Sequence, residues 1–124
     1  MAAMERVEFE RLVAEALDDI PEEFARHLAN VAVVIEDEPS PALLRDLGIA
    51  PGRGTLYGLY RGTPLPGRPH DFAGLPDHIT IFAGPLERDF RTPAALRRQV
   101  RATVVHEIAH HFGLDDRHIR RFGF

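Results

Sequence analysis

One segment constrains the fold more than any other. Thr92-Pro93 is followed by Leu96, Val100, Val104, Ile108 and Phe112, an apolar residue every four positions until Gly113. A hydroxyl N-cap, a proline in the first turn and a glycine just past the end are the start and stop signals of a helix. The spacing therefore predicts a helix over 93–112, with its apolar repeat turned into a core. A chain of 124 residues supports one compact domain, so this helix has to pack within it.

The remaining patterns supply what it packs against. Phe9, Leu12, Val13, Ala16 and Leu17 recur at helical spacing among Glu and Asp, and predict an amphipathic helix over 6–19 that Pro21 ends. Glu22 to Leu28 reads as a second, short helix. Val31 to Ile35 is a β-branched run of strand length and reads as a buried strand. Ser40 as N-cap and Pro41 as first helical residue predict a brief helix through Leu47, stopped by Gly48. Leu56 to Tyr60 reads as an edge strand and His78 to Phe82 as a third strand. Between them, Gly62 to Leu75 is longer than an ordinary connection and reads as a functional rim or flap. The expected fold class is α+β, with the two long helices on one face of a three- or four-stranded sheet.

Composition removes several functions. The chain is 44% hydrophobic and 27% charged, ordinary for a globular domain. Its longest apolar run, Val31 to Ile35, falls far short of the ~20 residues that span a bilayer. Glu5, Glu8 and Glu10 stand where a secretory leader would be basic, so no membrane association is expected and the location is read as cytoplasmic. The net charge of −4 hides an acidic first half and a more basic second half, and all 15 basic residues are Arg. These are scattered without RNP-like or zinc-finger spacing, which argues against nucleic-acid binding. With no cysteine, there is no disulfide, no thiolate nucleophile and no Cys-type zinc site, so any metal is held by His and carboxylates.

Such a set stands inside the long helix: His106-Glu107-Ile108-Ala109-His110, an H-E-x-x-H match. Imidazoles at i and i+4 lie one above the other, close enough to grip one ion at ~2.0 to 2.1 Å, the zinc–nitrogen distance. Glu107, rotated about 100° from His106, sits beside the ion, where its carboxylate takes a proton from a bound water. Chance supplies about 0.03 such matches in a chain of this composition. Thr103, His106, Glu107, His110 and His111 also fall on one polar stripe of the helix, where an ordinary wet face carries Lys, Arg or Gln. A catalytic zinc needs a third ligand and an open position. Gly113 can turn the chain back so that Asp116 reaches the ion, giving H-E-x-x-H-x-x-G-x-x-D, a spacing similar to that of metzincins with Asp in place of the third His. Asp115 and His118 are the alternatives, and capping of a short terminal helix is the structural role open to the two Asp residues. His111, four residues after Glu107, is placed either to orient it or simply on the surface. Tyr57, Tyr60 and His118 are the available donors to an oxyanion. His27, His70 and His78 lack partners at ligand spacing and are read as structural.

The stretches FERLVAEALDDIPEEFARHLANVAVVIEDEPSP, LYGLYRGTPL, LPDHITIFAGPLER and VRATVVHEIAHHFGLDD together resemble the small bacterial zincin-like metallopeptidase family. The resemblance covers nearly the whole chain, and its last stretch is the specific one. It implies a single minimal zincin-like domain over 1–124, with a small mixed sheet on an active-site helix. It further implies one zinc at His106, His110 and an Asp at the position of Asp116, with Glu107 as general base. Only eight residues follow Asp116, and both Met residues stand at positions 1 and 4, so no Met-turn is expected. The cleft is then expected to be shallow unless the Gly62 to Leu75 loop or a protein partner completes it. The leading expectation is a peptidase that pairs an extended peptide or protein segment with the Leu56 to Tyr60 edge. The alternative is a zinc-containing binding module with little or no peptidase activity.

Overall fold

The computed structural model describes residues 5–49, 56–62 and 77–124. In chain order they form α1 (Arg6–Asp18), α2 (Glu22–Ala25) continued by a 3-10 turn (Arg26–Leu28), β1 (Val31–Glu36), α3 (Pro41–Asp46), β2 (Gly58–Arg61), β3 (Asp77–Phe82), α4 (Ala83–Asp89), α5 (Pro93–Phe112) and α6 (Asp116–Arg121). No helix among the described residues is long and apolar enough to cross a membrane.

The expected caps form. Ser40 Oγ accepts the Leu43 N–H at 3.1 Å, and Thr92 Oγ1 accepts the Ala95 N–H at 3.1 Å. Gly113 closes α5 in the left-handed region at φ 73°, and the Leu114 N–H returns to the Ala109 carbonyl at 2.8 Å. The helix α4 is an addition to the expected elements, and it opens on Gly84-Pro85. Both residues fall in its first turn, where an N–H has no intrahelical partner to lose. The Gly84 N–H instead donates to the Asp37 carbonyl, and Arg88 grips Glu38 through two hydrogen bonds of 2.6 and 3.2 Å. These contacts fasten both ends of α4 to the chain leaving β1.

The sheet has the order β1-β3-β2, with β1 parallel and β2 antiparallel to the central β3. This corrects the reading of Val31 to Ile35 as a buried strand. At the sheet edge, Val31, Val33 and Ile35 face the core, while Ala32, Val34 and Glu36 are exposed. The buried strand is β3, whose Ile79 and Ile81 lie beneath the helices. Phe9, Leu12, Val13 and Ala16 of α1 share that core with Leu96, Val100, Val104 and Ile108 of α5. Burying an aliphatic or aromatic side chain of this size is worth roughly 1.5 to 3 kcal/mol, so α1 clamps α5 firmly from behind.

The opposite flank of α5 meets β2, and Gly58 is what lets it come close. A Cβ at this position would stand 2.6 Å from Thr103 Cγ2 and 3.1 Å from the Thr80 carbonyl oxygen. Gly58→Val is therefore expected to cost about 1 to 3 kcal/mol by overpacking. Urea unfolding checks this, with Gly48→Ala as a comparison at a site where nothing stands within 4 Å of the added Cβ and only the positive φ is strained.

Candidate active site

His106, Glu107 and His110 all lie on the last three turns of α5, before the chain reverses at Gly113. Of the polar stripe, Thr103 is 8% exposed, His106 and Glu107 are half-buried, and His110 and His111 are exposed. Phe112 departs from the apolar repeat that leads to it. It is 41% exposed and lies outside the core, with its ring stacked on His27 at 4.4 Å. At the last turn its neighbours are the rings of His27, Tyr60 and His111, which leave part of it open to solvent.

The histidines divide into two kinds. His27 is stacked on Phe112, and His111 is stacked on the Tyr60 ring at 3.9 Å with the planes 18° apart. His78 also has a partner. His106 and His110, by contrast, have no hydrogen bond, ion pair or ring contact among the described residues. Two uncommitted imidazoles one turn apart suit a borderline-soft divalent ion, and the donor set fits zinc in type and spacing. Among the described residues no three His, Asp or Glu side chains are grouped closely enough to hold an ion, and Asp115 does not complete a set with the two imidazoles. Asp116, the first expectation for a third ligand, opens α6 directly after the turn, and His118, an alternative, lies in the same helix. The side chains of Asp116 and His118 lie outside the described residues, as do His70 and the loop beyond Gly62.

Glu107 is positioned by an atom that side-chain patterns do not reveal. Its Oε1 accepts the backbone N–H of Tyr60 at 2.9 Å. The Phe82 N–H donates to the Tyr57 carbonyl, so Tyr57 and Phe82 are a hydrogen-bonded pair of the β2–β3 ladder. Antiparallel alternation then turns the N–H and C=O of Gly58 and Tyr60 outward. No strand among the described residues pairs with that edge. The carboxylate thus sits against an open strand edge, oriented by that edge and not by His111.

The two tyrosine hydroxyls are committed elsewhere. Tyr57 donates to Asp89 Oδ2 at 2.5 Å and Tyr60 to Asp77 Oδ2 at 2.8 Å, which removes both from the set of free oxyanion donors in this conformation. The hydrogen bond to Asp89, with burial and the carboxylate charge, pushes Tyr57 up to about 12; burial first, then the bond to Asp77, raises Tyr60 further. A phenol whose folded pKa exceeds its unfolded value of about 10 contributes stability in full below pH 10, and loses it as pH rises through the folded value. The chain has two Tyr and no Trp, so phenolate absorbance reports both directly. Neither is expected to ionise near pH 10 in the folded protein, and stability should fall from pH 10 toward 12, less steeply in Tyr57→Phe. A folded-state midpoint at 10 would contradict the assigned bonds.

Beside Glu107, a depression of about 260 Å³ opens between α5 and the start of β2, lined by Leu56, Tyr57, Gly58, Gln99, Thr103 and His106 among others.

The zincin-like metallopeptidase family matches residues 28–123. A solved structure, that of a conserved hypothetical protein from Thermo thermophilus, superposes with a TM-score of 0.57 at 24% identity, over 88% of this chain and 94% of that chain. This likeness shows the shared fold. No curated protein matches the chain. The small mixed sheet packs on a helix that carries His106, Glu107 and His110, and the family match takes in that helix with all three strands, so the chain belongs to the zincin-like metallopeptidase family.

Proposed function

We propose that the chain is a zinc-dependent metallopeptidase of the cytoplasm, hydrolysing peptide bonds in extended peptide or protein segments. The observation that carries this reading is the placement of Glu107, held by the Tyr60 N–H at an open strand edge between two uncommitted imidazoles. His106 and His110, with Asp116, would hold one zinc per chain. When bound, zinc supplies Lewis acidity, which acidifies a water and polarises a scissile carbonyl.

The protein's own residues do the rest. The outward Gly58 N–H and C=O and the Tyr60 C=O pair with the backbone of an extended peptide and lay its scissile bond beside Glu107. Glu107 Oε1 is fixed by the Tyr60 amide, while Oε2 has no partner among the described residues and is open to accept a proton. It takes that proton from the attacking water as the new C–O bond forms. It then gives it to the amide nitrogen as the C–N bond breaks, so the products are a carboxylate and an amine. The test is metal content measured beside hydrolysis of an unbiased peptide library. About one zinc per chain with library cleavage supports the reading, whereas zinc-loaded protein that cuts nothing opposes it.

A further inference from the structure

The depression beside Glu107 does not stop at Gly58. Two of its wall residues, Gln99 and Ala102, also wall a larger cavity of about 540 Å³ further toward the start of α5, bounded by Phe90, Ala95, Arg98, Arg101, Phe122 and Phe124 among others. Ala95, Gln99, Ala102 and His106 stand three or four residues apart, and so form one ridge of the helix. Tyr57, on the wall of the first cavity, meets Phe90, on the wall of the second, edge to face at 5.5 Å. The two cavities make one trough along the first half of α5, leading away from Glu107.

The far end of that trough is rich in unfilled donors. Arg98 has no hydrogen bond or ion pair among the described residues. Arg101 Nε is buried without an acceptor, and its Nη1 stands 3.7 Å from Asp19 Oδ2, beyond hydrogen-bonding reach. Its guanidinium lies 6.0 Å from the centroid of the Phe124 ring. Asp19 is the single acidic side chain on this wall, and it leaves the Arg98 donors and Arg101 Nε without an acceptor among the described residues. A planar carboxylate is the group that such forked donors match.

We propose that Arg98 and Arg101 bind a carboxylate of the substrate, three or four residues to the C-terminal side of the scissile bond. This rests on the peptidase reading and adds which peptides are chosen. The spacing follows from the helix: Arg101 and Arg98 precede Glu107 by six and nine residues, about 9 and 13 Å at ~1.5 Å per residue. An extended peptide covers this in three or four residues at ~3.4 Å each. The direction follows from the strand. Gly58 lies on Thr103, the Tyr60 N–H on Glu107 and Gly62 against His111, so β2 runs the same way as α5. A peptide antiparallel to β2 therefore sends its C-terminal half back past Gly58 toward the two arginines. The carboxylate is either the peptide's own C-terminus or an Asp or Glu side chain.

Two measurements on the zinc-loaded protein test this. Mapping the cuts in a peptide library by mass spectrometry should place them three or four residues before a free C-terminus or an acidic residue, and amidation of the termini separates the two sources. Separately, Glu107→Gln is titrated with a rhodamine-labelled octapeptide of Ala, Ser and Gly, by fluorescence anisotropy. The free-carboxylate form should bind about 10- to 100-fold more tightly than its C-terminal amide. Arg98→Gln, an exposed change checked by its melting temperature, should shrink that advantage severalfold, and Arg98→Lys should keep part of it. Equal binding of acid and amide, or an advantage that Arg98→Gln leaves unchanged, overturns the proposal. Cleavage without regard to carboxylates keeps the peptidase reading and removes this one. Carboxylate-selective binding without any cleavage by wild type does the reverse.

Discussion

Replacing Glu107 by Gln is expected to abolish peptide hydrolysis while leaving zinc bound at nearly the wild-type level. Gln keeps the volume of Glu, and its Oε1 can still accept the Tyr60 N–H, so the local geometry survives. What it loses is the ability to take a proton. General base catalysis is commonly worth ~10² to 10⁴ in rate. The same carboxylate also carries the proton to the leaving amine, so a loss at or above about 10⁴-fold is expected. The measurement is library cleavage by both proteins with metal content confirmed in each. If wild-type cleavage cannot be detected above that of Glu107→Gln across a broad library, the chain is better described as a zinc-containing binding module. A single unresponsive substrate would not decide the matter, because the trough is expected to be selective.

The second large effect concerns the metal itself. His106→Ala or His110→Ala should leave no zinc after dialysis, because the two ligands that remain cannot hold a catalytic ion tightly. Asp116→Ala should weaken retention more than Asp115→Ala, since Asp116 stands at the position that completes the metzincin-like spacing. The reverse order would move the third ligand by one residue. Metal analysis of the purified variants, with circular dichroism to confirm that α5 is intact, checks this. Neither imidazole makes a hydrogen bond, ion pair or ring contact among the described residues, so loss of metal should not be accompanied by loss of fold.

How much of this is legible in the sequence depends on the range of the interaction. The span and caps of α5 rest on residues within a few positions of each other, and Thr92, Pro93 and Gly113 place its ends where the structure has them. The H-E-x-x-H pair is likewise local to a single helical turn. A β-branched run reports strand character, whereas burial on both faces depends on which strands flank it, and β3 rather than β1 takes the middle of the sheet. The helix α4 is short and opens on Gly84-Pro85, a pair that carries no helical signal outside a first turn. The amide that orients Glu107 lies 47 residues away and is a backbone atom, so no residue type could announce it. The exposure of Phe112 likewise depends on residues distant in the chain, since His27 and Tyr60 are the rings that meet it.

That amide has a further consequence, in the language of hydrogen exchange. Most protected amides in a sheet are sheltered by a neighbouring strand, and their exchange reports the opening of the ladder. The Tyr60 proton is sheltered by a side chain instead, and it points away from β3. It can exchange when the Glu107 carboxylate swings aside while the strand itself stays paired. Its protection relative to the amides of Leu59 and Arg61 therefore measures how long the carboxylate remains in place, one residue at a time, in a protein that need not turn over any substrate to be observed.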